Sequence, residues 1–341
     1  MEDVTLIGID FGKHTSHLHA QDRAGHAVWR KKCNRSQLMI LLANTPPCTV
    51  VTEACAGAHQ MARDLIRFNH TVKLISPQFV RPFVKTNKND FIDAEAICEA
   101  ASRPSMRFVT PKTEAQQCLG AWHRVRESLV CDRVQVTNQI HAFLMEFGIS
   151  LPKGAAVIKR LPSVLAEQRL PARLVILLER LRDQYRALDA QIAEIERDLA
   201  AQLREDESGR RLLSVPGIGP VTASLLAAEL GDGKQYGCAR DFAASLGLVP
   251  RQYSTGGRAH LMGISKRGDK NLRRLLVQCA RVYMQNVARQ TGRLADWVRD
   301  LLQRRHSNVV ACAVANKFAR IVWAMTARRV DFERIGEALP A

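Results

Sequence analysis

Four carboxylates stand where a folded chain can bring acidic side chains together. Asp10 ends the apolar run VTLIGIDFG, and Glu53 ends a second apolar run within VVTEACAG. Asp90 and Asp93 are three residues apart in NDFIDAEA, a spacing that places both on one face of a helix. Oxygen ligands suit Mg²⁺. Converging from two strand ends and one helix, the four acids could hold two Mg²⁺ ions about 3.5–4 Å apart, which stabilises the attacking and leaving oxygens of a phosphodiester.

Each of these acids also has an ordinary structural interpretation. Asp90 could cap a helix, Asp93 could be a solvated side chain, and Asp10 could belong to a turn. The metal site is favoured because two carboxylates end apolar strands within a suitable order of elements. Glu95 and Glu99 lie on the same predicted helix but on another face, so we expect them at the surface.

A serine far from these acids is a second candidate. In PRQYSTGGR, Ser254 precedes two glycines and stands between Arg251 and Arg258. The segment predicts a polar turn, in which Ser254 is either an ordinary hydroxyl or a nucleophile. A serine oxygen that attacks a phosphate forms an ester that conserves the bond energy. The two arginines could neutralise charge that develops on the phosphate.

Two further segments predict contacts with a phosphate backbone. SVPGIGPVTA, residues 214–223, has the form of a helix-hairpin-helix, although a plain pair of helices remains the alternative. Gly217 and Gly219 would permit the tight turn and expose backbone amides to a phosphate. Between residues 251 and 290 there are nine Lys or Arg and one Asp. This run is either a solvated face or a phosphate track, formed by Lys266, Arg267, Lys270, Arg273 and Arg274.

The elements expected to position these residues form three regions. Residues 1–111 predict an α/β domain of the RNase H-like kind: three antiparallel strands, a helix capped by Ser36, then alternating strand and helix, and a helix entered through Asn89 or Asp90. Residues 112–205 predict a charged helical region. Residues 206–341 predict a mainly α domain that contains the helix-hairpin-helix and Ser254.

The helical region carries a heptad pattern of apolar residues, mostly leucines, that extends over about four heptads. Its apolar positions recur at steps of three and four, with Tyr185 or Gln184 filling a gap, and they are Leu174, Leu177, Leu181, Leu188, Ile192, Ile195 and Leu199. The repeat predicts a coiled-coil arm. An ordinary amphipathic helix in a bundle is the alternative.

Composition restricts the partners and the compartment. The net charge of +17 and pI near 9.9 suit a polyanion, either nucleic acid or an acidic membrane surface. No uninterrupted apolar run has the length of a membrane span, since Lys317 and Arg320 interrupt the most apolar late segment. The nine cysteines include no Cys-x-x-Cys pair, and the acidic start is unlike a secretory signal. We therefore expect a cytoplasmic protein with reduced thiols and no membrane partner.

Taken in order, the motifs resemble one family of bacterial insertion-sequence transposases. GIDFGK, VTEACAG, NDFIDAEA, the heptad helix, PGIGPVTA, GLVPRQYSTGG and ISKRGDKNLRRLL follow that family's order from about residue 4 to 330. The family is that of DEDD recombinases guided by a bridging RNA that the element encodes.

The resemblance implies a RuvC-like domain with Asp10, Glu53, Asp90 and Asp93 as Mg²⁺ ligands, a coiled coil for assembly, and Ser254 as the catalytic serine. Thr255 is the alternative, since other members often have a second hydroxyl there. The resemblance further implies a homotetramer, a dimer of dimers, in which the serine of one protomer works beside the carboxylates of another. The partners would be donor DNA, target DNA and the bridge RNA, with the protein on the nucleoid when it acts.

Two other functions fit the same residues. A metal-dependent junction nuclease would use water as its nucleophile and leave Ser254 a role in shaping the loop. A non-catalytic nucleic-acid scaffold would use the basic face alone, but four intact carboxylates argue against it.

Overall fold

The protein is described here by a computed structural model that covers residues 4–85 and 89–332. The chain divides into two compact units, Met1–Ala115 and Gln116–Ala341. The first is a mixed α/β unit with one central sheet, and the second is mostly helical, as the sequence predicted. The predicted boundary near residue 205 lies inside the second unit and stays a prediction.

The first unit alternates strands and helices around its sheet. Its strands are β1 (Leu6–Phe11), β2 (Thr15–Gln21), β3 (Ala27–Asn34), β4 (Thr49–Glu53), β5 (Thr71–Ile75) and β6 (Phe108–Val109). Its helices are α1 (Arg35–Ala43), α2 (Ala58–Arg67), the short α3 (Pro77–Val80) and α4 (Asp90–Ala101). The strand order is β3-β2-β1-β4-β5-β6, in which β1, β4 and β5 are parallel and the other pairings are antiparallel.

The core of this unit follows from the buried strands at the sheet centre. Ile7, Ile9 and Val50 are fully buried, and helices α1 and α2 contribute Leu38 and Leu65 to the same cluster. Strands covered on both faces read as apolar runs, and that is how β1 and β4 were found in the sequence. The RNase H-like assignment accords with this element order but stays a prediction.

Helix α1 begins two residues earlier than predicted. Asn34 caps it, accepting a hydrogen bond from the Gln37 backbone N–H at 2.9 Å, while the Gln37 side chain accepts one from the Asn34 N–H at 3.0 Å. This reciprocal capping box satisfies two otherwise unpaired amides. The prediction of Ser36 as the cap is therefore wrong. Helix α4 is capped by Asn89, one of the two predicted residues, whose side chain accepts from the Phe91 N–H.

Within its described residues, 116–332, the second unit contains nine α-helices, the first of which begins at Glu114, and one β-hairpin. The helices are α5 (Glu114–Glu146), α6 (Ala156–Glu167), α7 (Ala172–Glu205), α8 (Glu207–Leu213), α9 (Pro220–Leu230), α10 (Ala239–Ser245), α11 (Lys270–Gln285), α12 (Arg293–Arg304) and α13 (Ser307–Arg328). The hairpin consists of β7 (Pro250–Thr255) and β8 (Arg258–Ile264).

Helices α5 and α7 lie antiparallel in the same chain. Arg126 pairs with Glu196, its Nε donating a hydrogen bond at 2.8 Å, and Arg133 pairs with Asp189. The later residue of α5 thus pairs with the earlier residue of α7, as in two antiparallel helices. The apolar stripe of α7 packs on α5 and α6 through residues that include Leu178. Much of the predicted heptad repeat is thus covered within the protomer, and the coiled-coil arm stays a prediction.

Among the described residues, one helix, α13, has the length and apolar composition of a membrane span. It carries Lys317 and Arg320, and its Val314, Phe318 and Val322 are fully buried in the core of the second unit. Core helices of globular proteins share these properties, so the helix is explained by its packing.

His123 makes the stability of the second unit depend on pH. It is almost fully buried on α5 and lies 3.0 Å from the Ser224 hydroxyl, and burial lowers its pKa from 6.5 to about 4, with Arg126 adding to the effect. Below pH 6.5 the unfolded chain therefore binds a proton at His123 that the native state does not bind. The free energy of unfolding is highest above pH 6.5 and falls as the pH decreases below that value.

We expect about 2 kcal/mol of unfolding free energy to be lost between pH 7.5 and pH 5 through this histidine. Urea denaturation at the two pH values measures the loss. His123→Gln should remove most of it, whereas His26→Gln, at an exposed position, should retain it. Equal pH dependence in both variants would contradict the assignment.

Candidate active site and phosphate-binding elements

The strand pairings of the first unit bring Asp10 and Glu53 to one edge of the sheet. Strands β1 and β4 are parallel, and Ile9 lies beside Thr52, so the next residues, Asp10 and Glu53, leave the paired region together. Carboxyl ends of neighbouring parallel strands share an edge, which is why the sequence could anticipate this pair.

Helix α4 adds the remaining two acids from its first turn. Asp90 is its first residue and Asp93 follows three residues later, still in the first turn. Carboxylates in the first turn of a helix are stabilised by the partial positive charge of its N-terminus. The helix lies directly on β1: a β-carbon on Gly8 would be 2.4 Å from the Ala94 carbonyl oxygen and 2.6 Å from the Cys98 sulfur.

The electrostatics of Glu53 indicate that the acids are close neighbours. Its pKa is raised, first by burial and then by the negative charges of Asp10 and Asp93. Cys55, two residues later, has its thiol pKa raised by burial and by the charges of Glu53 and Asp10. Like charges held together disfavour ionisation, and a cation placed between them would relieve the repulsion.

His17 joins this group, and sequence reasoning missed it. Ligand atoms of Asp10, His17 and Asp90 all lie within 4.8 Å of one another, and His17 Nδ1 is 3.4 Å from Asp90 Oδ2. His17 is the cross-strand partner of Asp10 in the β1–β2 pairing, and opposite residues of an antiparallel pair point to the same face. Its ring also meets Phe91 edge-on, at 4.8 Å between centroids.

Glu95 and Glu99 lie away from this cluster, as predicted. Glu95 pairs with Arg30 at 2.6 Å, and Arg30 in turn donates through Nε to His19 Nδ1 at 3.1 Å. Glu99 pairs with Arg103 one turn along the same helix. Both carboxylates therefore form ion pairs with arginines at the surface of the first unit.

Ser254 lies in β7 and precedes the turn, whereas the sequence predicted that it lies within the turn. Gly256 and Gly257 form a two-residue hairpin connection with φ values of 55° and 75°, the geometry of a type I′ turn. Ser254 pairs with Ala259 across the hairpin, and every residue of β7 is exposed. Its Oγ accepts a hydrogen bond from Gln252 Nε2 at 2.7 Å, a contact that sequence reasoning did not anticipate.

The strand places the two hydroxyl residues on opposite faces. Successive side chains of a strand alternate, so Ser254 shares a face with Gln252, whereas Thr255 shares one with Tyr253. Only one of the two hydroxyls can therefore meet a given phosphate from a given side. Arg251 and Arg258 are both exposed on the same hairpin.

The base of the hairpin is fixed by close backbone contacts. A β-carbon on Gly268 would be 1.6 Å from the Ser245 carbonyl oxygen, and one on Gly247 would be 2.3 Å from that of Arg267. The Lys266 and Ser265 amides also donate to the Gly247 and Val249 carbonyls. The hairpin thus projects from a rigid support formed by the ends of α10 and α11.

The glycine-rich segment connects α8 and α9 as a tight turn. Gly217 has a φ of 90° and approaches α11, where a β-carbon would be 3.1 Å from the Cys279 carbonyl oxygen. Gly219 is the N-cap of α9, Pro220 follows at the first helical position, and space beside Gly219 is open. Gly217 therefore serves packing, while the accessible helix start lies at Gly219.

The predicted basic residues divide into exposed and internally bonded groups. Lys266, Arg267 and Lys270 are exposed. Arg273 instead donates through one guanidinium nitrogen to the Leu246 and Arg267 carbonyls, at 2.9 and 2.7 Å, and Arg274 pairs with Glu127 and Asn271. Their guanidinium groups are bonded within the fold, and the predicted role of Arg273 and Arg274 in a phosphate track stays a prediction.

Comparisons with known proteins identify the family. Residues 209–294 match the model described as "Transposase IS116/IS110/IS902 family", and residues 7–149 match the DEDD transposase model of the IS110 group. The chain is 64% identical over 334 residues to the transposase for insertion sequence element IS1328 of Yersinia enterocolitica, which covers 98% of this chain and 100% of that protein. The chain belongs to the IS110 family of transposases.

Two further relatives place this transposase in the same group. A probable family 20 transposase of Pseudomonas aeruginosa is 48% identical over 97% of this chain and 99% of its own length. The transposase for insertion sequence element IS1111A of Coxiella burnetii is 38% identical over 97% of this chain and 92% of its own. The IS110 transposase is thus an enzyme that cuts and rejoins DNA, and its DEDD class together with the Asp10, His17 and Asp90 group suggests a divalent metal.

Proposed function

We propose that this IS110 transposase is an RNA-guided, site-specific DNA recombinase that works through a phosphoserine ester at Ser254. The observation that carries the proposal is the convergence of two strand-end acids, Asp10 and Glu53, with the first turn of α4, in a chain whose family acts on DNA. The same cluster in a water-activating nuclease would need no second nucleophile, whereas this chain presents an exposed serine between two arginines.

The acids fit Mg²⁺. We assign Asp10, Glu53, Asp90 and Asp93 as ligands of two ions, because their oxygens match the preference of Mg²⁺. The pKa of Glu53 is raised by burial and then by the negative charges of Asp10 and Asp93, a repulsion that a cation would relieve. His17 borders the site and offers its Nδ1 to Asp90. Bound Mg²⁺ would supply charge stabilisation to the phosphate oxygens at this edge of the sheet.

Ser254 would act as the nucleophile. Its Oγ forms a bond to phosphorus, the bond to the bridging oxygen of the DNA strand breaks, and the serine proton leaves while the released oxygen gains one. Attack by a strand hydroxyl on the ester reverses these steps and restores Ser254, so rejoining needs no ATP. Gln252 holds the Oγ, and Arg251 and Arg258 place positive charge beside the phosphate.

Assembly would complete the site. We propose a homotetramer, a dimer of dimers, in which the serine of one protomer works beside the carboxylates of another. The pair of long helices, α5 and α7, supports self-association because it exposes Val125, Val134, Ile176 and Leu177, whose exposed fractions run from 42% to 53%. Exposed apolar side chains on one helix pair favour contacts with another protein surface.

Donor and target DNA would lie on the second unit. Phosphates would meet the start of α9 at Gly219 in a helix-hairpin-helix arrangement, together with the exposed Lys266, Arg267 and Lys270. Such contacts fix the position of DNA but read no sequence. A bridge RNA that pairs with both DNAs would supply the sequence information, as base pairing does in other guided enzymes. The protein would then be found on the nucleoid while acting.

The test of RNA guidance uses the noncoding DNA beside the reading frame. The chain is co-expressed with this segment, and recombination between a donor and a target plasmid is measured by sequencing the junctions. We expect no junctions without the segment, and new junctions when its target-matching bases and the target are changed together. Recombination that continues without the segment would contradict RNA guidance.

A further inference from the structure

A half-open pocket of about 790 Å³ lies at the base of the β7–β8 hairpin, within the second unit. Its walls come from the hairpin, α12 and α13. Most of its lining is apolar and includes Ile264, Trp297, Val309 and Ala313. The volume lies in the range of roughly 300–1,000 Å³ that small-molecule sites occupy.

The polar groups of this pocket are positive. Arg251, Lys266, Lys317 and Arg320 all line it, and among the described residues no Asp or Glu does. Lys317 and Arg320 are half-buried, three residues apart on α13, and neither forms an ion pair within residues 4–85 and 89–332. The Arg320 Nε is buried without a hydrogen-bond partner. Burial and the nearby Arg320 charge also lower the pKa of Lys317, so an anion would relieve the repulsion.

We propose that this pocket binds one unstacked nucleotide of the DNA strand being processed, with the base against Trp297 and the phosphate on Lys317 and Arg320. An apolar pocket with one aromatic wall matches the flat face of a nucleobase, and proteins that hold unpaired strands stack bases on such side chains. Cations without acidic partners match the phosphate that accompanies the base. A purely apolar occupant would leave these charges uncompensated.

The position of the pocket relates it to the reaction, and this part of the inference rests on the proposed role of Ser254. Arg251 lines the pocket and precedes Ser254 by three residues of the same strand, about 10 Å at 3.3 Å per residue. That distance corresponds to about three base steps of a stacked strand at 3.4 Å, and to fewer steps where the strand is unstacked. A nucleotide held here would fix which phosphate of the strand lies at the serine.

Binding of short oligonucleotides to the full-length protein tests the pocket. The probes are a pentadeoxynucleotide with 2-aminopurine at its centre between thymidines, the same strand with an abasic centre, and the ribonucleotide form of the first. We expect the 2-aminopurine strand to bind about 5- to 100-fold more tightly than the abasic one, with quenched fluorescence, because a stacked base contributes on this scale. The deoxynucleotide should bind at least as tightly as its RNA form.

Variants separate the pocket from the rest of the protein. Ala313→Trp, which fills the pocket, should abolish the difference between base and abasic strands while leaving the melting temperature within a few degrees. Joint replacement Lys317→Met and Arg320→Met should weaken both strands about tenfold, and Arg204→Met, at an exposed site on α7, should change neither.

Ser254→Ala should bind all probes as the wild type does, so the result is independent of whether the serine is the nucleophile. Equal affinity for the base and abasic strands would overturn the proposal. Tighter binding of the RNA form would assign the pocket to RNA instead of DNA, and a changed oligomeric state of Ala313→Trp in sedimentation would assign it to a second copy of the chain; either result also overturns the proposal.

Discussion

Ser254→Ala is expected to eliminate the covalent protein–DNA adduct and to reduce strand exchange by about 10⁴-fold or more. Loss of the nucleophile from a covalent mechanism costs on the order of 10⁶ in rate, because no neighbouring group replaces it. The adduct is measured by denaturing electrophoresis of the enzyme with labelled DNA and Mg²⁺, and its site by mass spectrometry of the phosphopeptide. DNA binding should be retained, since Ser254 is exposed and its side chain supports no core packing.

Thr255→Val is the matched control for this experiment. Thr255 is the adjacent hydroxyl residue but lies on the other face of β7, so its replacement should leave the adduct intact. An adduct that persists in Ser254→Ala and disappears in Thr255→Val would move the nucleophile to Thr255. Normal cleavage by Ser254→Ala without any adduct would favour the junction nuclease, in which water attacks.

Asp10→Asn is expected to abolish cleavage and strand exchange while sparing nucleic-acid binding. The substitution keeps the size of the side chain but removes the charge next to Glu53, His17 and Asp90. Loss of a metal ligand removes several kcal/mol of transition-state stabilisation, which corresponds to about 10³-fold or more in rate. Calorimetric titration with Mg²⁺ should show weakened binding, and filter binding of DNA should be unchanged.

Glu99→Gln provides the control for Asp10→Asn. Glu99 is a carboxylate on α4, the helix that also carries Asp90 and Asp93, but its partner is Arg103. Its replacement should leave both Mg²⁺ binding and cleavage within about twofold of wild type, since exposed ion pairs contribute little. Full activity of Asp10→Asn would remove the metal-site proposal, whatever the behaviour of Glu99→Gln.

The sequence predicted those parts of the site that depend on local pattern. Apolar runs located β1 and β4, and parallel strands in such an order place Asp10 and Glu53 at one edge. His17 could not be found in the same way, because its approach to Asp10 depends on the register of the β1–β2 pairing. Register is set by how two strands align across their connection, and a single strand does not reveal it.

The second unit was harder to predict because its decisive contacts are tertiary. The exposed residues of β7 show no apolar alternation, so the sequence predicted a loop where the structure has a hairpin. Arg273 and Arg274 belong to a basic run, but whether a guanidinium faces solvent or a backbone carbonyl depends on the fold around it. The heptads of α7 predicted a partner helix but not that α5 of the same chain supplies one.

The spacing between α4 and the sheet at the proposed metal site depends on the absence of a β-carbon at Gly8. The Ala94 carbonyl oxygen of α4 lies 2.4 Å from the position where any other residue would carry its β-carbon, too close for that atom to fit. Because the helix is rigid, its height above the sheet at Ala94 also sets the height of its first turn, where Asp90 and Asp93 lie. A larger residue at position 8 would push α4 away from the sheet and so move Asp90 and Asp93 away from Asp10, although every proposed metal ligand would still be present in the sequence. The enzyme therefore depends on a residue that has no functional group at all.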